Sequence, residues 1–177
     1  SMTFGNGDIS PDNAYLEMFS GGFFGSQIPE DAKAIIKNAD KTLISQLKKA
    51  TKSHADVKYK LQWIDDSLEI TALGKSAHSS KPEYGINAVT HLADLLSLRR
   101  WPDNAAGSLV NFINDNLGTN LYGEKFGNIS YKDHFMGPMS VQPTVLKQLD
   151  KGIEMNINIR RPRGKTSELL TAQINNT

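Results

Sequence analysis

The stretch Val57-Lys58-Tyr59-Lys60-Leu61-Gln62-Trp63-Ile64-Asp65-Asp66-Ser67-Leu68-Glu69-Ile70-Thr71-Ala72 alternates apolar and polar residues on both sides of a polar turn. Val57, Tyr59, Leu61 and Trp63 fall on one side of the first arm, and Leu68, Ile70 and Ala72 on one side of the second. A period of two sends successive side chains to opposite faces of a strand. Asp65-Asp66-Ser67 supplies the turn between the arms. The reading is a β-hairpin with one apolar face, and such a face needs a second layer to cover it.

That layer is legible on both flanks. Before the hairpin, Leu43, Ile44, Leu47 and Ala50 form one stripe at helical spacing, with Asp40 placed to cap the helix and its end near Ser53. After it, Ile86 to Leu98 carries Val89, Leu92, Leu95 and Leu96 at the spacing of an amphipathic helix. Ala32 to Lys37 reads as a strand before the first helix, and Ala14 to Ser20 as a short earlier one broken by Gly21-Gly22-Phe23-Phe24-Gly25. Near the other end, Ile153, Met155, Ile157 and Ile159 alternate along a strand that Pro162 stops. Thr166 or Ser167 caps a last helix containing Leu169, Leu170 and Ile174. Strand, helix, strand, strand, helix, strand is a ferredoxin-like α+β order, an antiparallel sheet with helices on one face.

Residues from about 101 to 149 read as an inserted helix-and-strand lobe enlarging that core of about 30–100 and 150–177. Leu109, Phe112, Ile113 and Leu117 suggest its helix, ended by Gly118; Ile129 to Tyr131 and Met139 to Val145 suggest strand pieces separated by Gly137-Pro138. Residues 1–13, through Pro11-Asp12-Asn13, read as loop, a leader without structure of its own or left by cloning, ahead of one domain over 14–177.

Composition narrows the function. Twenty basic residues against nineteen acidic leave a formal net charge of +1, which provides no field for steering onto nucleic acid or an anionic membrane. The absence of cysteine excludes a disulfide framework and a thiolate metal site, and fits the reducing cytoplasm. No apolar run approaches the ~20 residues of a membrane span, and the polar, glycine-containing first dozen residues do not resemble a signal peptide.

The histidines are His54, His78, His91 and His134, and no two have close ligand spacing. A zinc site needs about three or four converging ligands, so no metal is expected on this chain. His78 stands among small residues in Gly74-Lys75-Ser76-Ala77-His78-Ser79-Ser80, after a strand and before a helix. An imidazole there can approach a ligand closely and donate to charge developing on a substrate oxygen; a solvated loop histidine has the same composition. Arg160 and Arg161 end the best-patterned strand, one on the face of Asn156 and Asn158, the other on that of Ile157 and Ile159. A guanidinium on a rigid strand can grip a carboxylate in a bidentate fork, although a charged strand end also merely keeps a chain soluble. Ser79 and Ser80 adjoin His78, but adjacency in sequence does not place a hydroxyl for nucleophilic catalysis, and no Gly-x-Ser-x-Gly elbow is present. Gly21-Gly22 lacks the Gly-Lys-Ser/Thr ending of a phosphate loop.

The segment Gly74 to Ala88, with its histidine, Pro82, Gly85 and the Asn87-Ala88 pair at fixed offsets, closely resembles a motif of the metallopeptidases that include aminoacylase, carboxypeptidase G and bacterial Xaa-His dipeptidases. Asn158-Ile159-Arg160-Arg161-Pro162 is similar to a second motif of that family. The resemblance runs from about Gly21 to the C-terminus, and Phe112–Gly118, Gly123–Gly127 and Gly137–Val141 resemble the enlarged lid of its monomeric dipeptidases. It implies a lid, or dimerisation domain, whose partner is a separate catalytic domain of the same parent holding two zinc ions. It also implies a dipeptide substrate, with His78 stabilising the tetrahedral oxyanion and Arg160 holding the C-terminal carboxylate. The fragment alone is then expected to be inactive. Smaller lids of this family pair subunits, so a homodimer is a further expectation. A dimerisation module and a ferredoxin-like regulatory domain binding a small ligand are the alternatives. Two features depart from the pattern: Ser26, in Ser26-Gln27-Ile28-Pro29, stands where an asparagine is usual, and the metal-binding motifs are absent.

Overall fold

The computed structural model describes residues 1–7 and 13–177. In chain order the elements are β1 (Met2–Gly5), β2 (Tyr15–Gly21), β3 (Asp31–Lys37), α1 (Lys41–Ser53), β4 (Lys58–Ile64), β5 (Ser67–Leu73), α2 (Ala88–Leu95), α3 (Ala105–Asn116), β6 (Lys132–Asp133), β7 (Gly137–Pro138), β8 (Ser140–Leu149), β9 (Gly152–Arg160) and α4 (Ser167–Asn175). Seven strands form one sheet in the order β1-β9-β8-β2-β3-β5-β4, each neighbour antiparallel, while β6 and β7 make a small separate hairpin.

The deciding hairpin pairs Tyr59 with Ala72, Leu61 with Ile70 and Trp63 with Leu68. The same face continues onto β3, where Ala32, Ala34 and Ile36 meet Ala72, Ile70 and Leu68. These β3 and β5 side chains are buried, and Lys33 and Glu69 on the opposite face form an ion pair instead. Apolar burial on one face is what holds a helix layer to such a sheet. Ala88, Val89, Leu92, Ala93 and Leu95 of α2 lie in that core, and α2 packs on β3 and β5. The segment 101–149 supplies α3 and β8 to the same two layers. The helix α3 packs on β1, β2, β9 and α2, and β8 pairs along β9 and touches β2.

The helix starts are set by side chains. Asp40 accepts from the Leu43 N–H at 2.7 Å, Asn87 from Val89 and Thr90, Asn104 from Gly107, and Thr166 from Leu169. Each satisfies backbone donors that a first helical turn leaves unpaired. The helix expected from Ile86 therefore begins after Asn87, and Leu96–Leu98 tightens into a 3₁₀ turn. Gly118 ends the α3 region in the left-handed conformation, at φ +58°, as the sequence suggests.

Four particulars differ from the sequence reading. Residues read as N-terminal loop include a strand, β1, pairing Met2 with Met155 and Phe4 with Ile153. The ring of Phe4 lies 5.6 Å from that of Phe112, so the strand is held by packing as well as by its ladder. The rest of that loop reading, at Pro11 and Asp12, lies outside the described residues. Ile129–Tyr131 is not a strand: Ile129 is buried in a turn whose N–H donates to the Phe126 carbonyl, and the pairing falls on β6 and β7. Gly137-Pro138, read as a break, is thus one arm of a hairpin. Finally, β9 does not lie beside β3, where the fourth strand of a ferredoxin-like order stands. The hairpin of β2 with β3 already fills that side, and β9 lies two places further out, past β8.

Candidate functional site

The loop carrying His78 is closed at its base. Lys75 and Ile86 exchange backbone hydrogen bonds at 2.8–2.9 Å, and a Cβ at Gly74 would meet the Ile86 carbonyl at 2.1 Å, so only glycine allows that approach. Pro82 is buried in a 3₁₀ turn, and the buried Asn87 amide donates to Gln142 Oε1 and the Pro143 carbonyl while its oxygen caps α2. Most of the Gly74–Ala88 motif is therefore architecture, tying loop, α2 and β8 together.

Three segments meet at this end of the sheet. The Ile28 N–H donates to the Ala77 carbonyl at 2.8 Å and the Ser79 N–H to the Ser26 carbonyl at 2.9 Å, laying Ser26–Ile28 against Ala77–Ser79. The buried Ser140 hydroxyl donates to the Ser79 carbonyl at 3.0 Å, and Ser140 is the register partner of Arg160. The Asn158 amide donates to the Gly25 carbonyl at 3.0 Å. Ser26, His78 and Arg160, far apart in sequence, are thus joined through a short chain of hydrogen bonds, and all three side chains are exposed. Gly22, at φ +77°, lets the loop between them pass against the Thr144 carbonyl, which a Cβ would meet at 1.9 Å.

The protonation pattern of His78 follows from its neighbours. Its Nδ1 lies 2.7 Å from Ser80 Oγ and 3.2 Å from the Ser80 backbone nitrogen. A backbone N–H can only donate, so Nδ1 is the acceptor and the neutral ring carries its proton on Nε2. No acid or carbonyl among the described residues takes that Nε2–H, so a donor is left facing outward. The dismissal of the adjacent serines is corrected in one respect: Ser80 does reach the imidazole, though through Nδ1 and without an acidic third member. Arg160 forms no side-chain hydrogen bond or ion pair among the described residues. Alternation sets it on the face of Asn156 and Asn158. Arg161 turns away, its guanidinium donating to the Lys165 carbonyl.

The other histidines serve packing or surface. His54 directs one ring nitrogen at the Ala50 carbonyl and the other at Asp94, each within 2.9 Å. Burial alone would lower its pKa, but these two acceptors outweigh burial and raise it. Burial, with Asp94 nearby, pushes the Tyr59 phenol well up, and its hydroxyl donates to the His91 carbonyl. His91 bonds its own helix through the Asn87 carbonyl, and His134 packs edge-on to the exposed Phe135 ring. No group of three or more histidines and carboxylates among the described residues is placed to hold a metal ion. No described helix is long and apolar enough to cross a membrane.

The chain is thus an antiparallel sheet covered by helices on one face, with a histidine loop and a strand-end arginine at one end. Residues 66–176 match the peptidase dimerisation domain family, and the chain belongs to it. Over 175 residues it is 25% identical to the Beta-Ala-Xaa dipeptidase of Lactobacillus delbrueckii subsp. lactis. The match takes in 98% of this chain but spans only 36% of that relative.

Proposed function

We propose that this domain is the lid of a cytoplasmic, zinc-dependent dipeptidase, working against a catalytic domain of the same parent. The observation that carries the reading is the joining of His78, Arg160 and Ser26 at one end of the sheet, with the His78 Nε2–H outward. In this reading His78 donates to the oxygen that gains charge when a peptide carbonyl becomes tetrahedral. Arg160 grips the free carboxylate of the dipeptide, so the spacing of the two groups selects short substrates. Ser26, whose carbonyl accepts from the Ser79 N–H, would bring a hydroxyl to the site where the family's lids usually carry an amide. In this reading the zinc ligands belong to the catalytic domain of the parent, and no metal-borne step is assigned to this chain.

Dipeptide hydrolysis by the full-length parent, supplied with zinc or manganese, tests the reading. His78→Ala lowers turnover by about 10²–10³ with metal content unchanged if the imidazole meets the transition state. Unchanged turnover would leave the domain as scaffold. A second reading, homodimer formation, is favoured by β4, a sheet-edge strand with exposed Trp63 and Ile64 at its end. Sedimentation of the chain as a tight dimer, lost on Lys60→Pro in β4, supports it; a monomer at all concentrations removes it.

A further inference from the structure

Hydrogen bonding clamps the backbone around His78 on every side. Its carbonyl accepts from the Lys81 N–H at 2.9 Å, the preceding carbonyl from Ile28 and the following N–H binds Ser26. What remains free is the side chain: two torsions and the position of one proton. Ser80 meets the ring through both its hydroxyl and its amide, at the same nitrogen. A neutral imidazole nitrogen has one lone pair, which the two donors share. Were the proton moved to Nδ1, the hydroxyl could turn and accept it, but the amide N–H would face an N–H and lose its acceptor.

We propose that Ser80 is the positioning residue for His78, fixing the Nε2–H tautomer and holding the ring so that this proton points out of the loop. The proposal rests on the oxyanion role given to His78 above. Ser80 touches no substrate in this scheme; it acts through the ring, as outer partners of catalytic and metal-binding histidines do. The division of labour is specific. The amide excludes the wrong tautomer only while the ring is held against it, and the hydroxyl does that holding by stiffening the ring against rotation about its Cβ–Cγ bond. Ser79, its neighbour, cannot substitute, because it is buried and its peptide groups are engaged by Ser26 and Ser140.

The test pairs a spectrum with a rate. In the 177-residue chain labelled with ¹⁵N-histidine, long-range ¹H–¹⁵N correlation reports the tautomer of each ring. His78 should show a single Nε2–H form above the range where histidines protonate, and Ser80→Ala should shift its two nitrogens toward the averaged values of exchanging tautomers. Ser80→Thr, which keeps the hydroxyl, should restore the single form. In the full-length parent, Ser80→Ala should lower kcat about five- to tenfold with KM nearly unchanged, the loss of one hydrogen bond felt in the transition state, and Ser80→Thr should recover it. A wild-type ring protonated on Nδ1 overturns the proposal, and so does a Ser80→Ala protein that keeps both the single tautomer and full kcat. If His78→Ala itself leaves turnover intact while Ser80→Ala still blurs the tautomer, Ser80 positions the ring and the oxyanion reading is what fails.

Discussion

His54 and His78 are both held by hydrogen bonds near the end of a helix or strand, yet they are spent differently. His54 closes α1 and has an acceptor on each ring nitrogen, the Ala50 carbonyl and the Asp94 carboxylate. Only the imidazolium can donate to both, so the surroundings use up the whole ring in joining α1 to α2. His78 has donors on one nitrogen and nothing among the described residues on the other. The first ring is saturated and joins two helices; the second keeps a donor that no described residue takes, the one the proposed role would use. The number of engaged nitrogens, rather than burial or proximity to other polar residues, separates the two roles.

The sharpest way to break that contrast is to remove each ring in turn. His78→Ala is expected to cut dipeptide turnover in the parent by about two to three decades with thermal stability of the domain retained, while His54→Ala should do the reverse. Equal effects on turnover would show that saturation does not distinguish them. Next comes the other exposed group. Arg160→Ala should lower kcat/KM for a dipeptide by about ten- to a hundredfold, the worth of a charged hydrogen bond. The loss should shrink for the same dipeptide with an amidated C-terminus; a penalty independent of that carboxylate removes Arg160 from substrate recognition. The anchor beneath the loop gives a smaller, purely structural effect. Asn87→Ala loses the cap of α2 and the amide contacts to β8, and should cost about 2 kcal/mol in a denaturant titration; a change below a few tenths would mean the motif asparagine is dispensable to the fold.

The smallest expected effect is the pH dependence of His54. Its folded-state pKa lies above the ordinary value of 6.5, so its contribution is complete below that value and is lost as pH rises through the raised folded-state pKa. Tm of the wild type should therefore fall by a few degrees relative to His54→Gln between about pH 6 and pH 8. A constant difference between the two proteins would show that the ring does not titrate with folding.

Much of this was readable residue by residue. The alternation at Val57–Ala72 predicted the hairpin, although its turn is tighter than the expected Asp65-Asp66-Ser67, since Ser67 already pairs with Ile64; Asp40 and the Thr166-Ser167 pair announced helix starts, and the Gly74–Ala88 spacing pointed to His78. The strand β1 escaped because four residues carry too little alternation, and its partner lies some 150 residues away. In β8, Gln142 and Thr144 are buried polar residues beside Pro143, and the bulge between Pro143 and Val145 breaks the period that would have marked its full length. Sheet order is likewise non-local: nothing in β9 itself says that β8 and β2 intervene before β3. The bond from Ser80 to His78 is local in sequence, but it depends on the turn closed by Lys81, which composition does not specify.

The bridge between Lys75 and Ile86 has a mechanical consequence. Because the loop leaves and re-enters the scaffold at a single doubled hydrogen bond, the imidazole is mounted like a bit in a chuck. The strands and α2 grip the shank through Gly74 and Asn87, and bonds linking Ile28, Ser26 and Ser140 to Ala77 and Ser79 brace the tip midway, so the loop cannot flex about its base alone. The reach of the histidine is then fixed by the frame itself: strand, helix and loop move as one piece, or not at all.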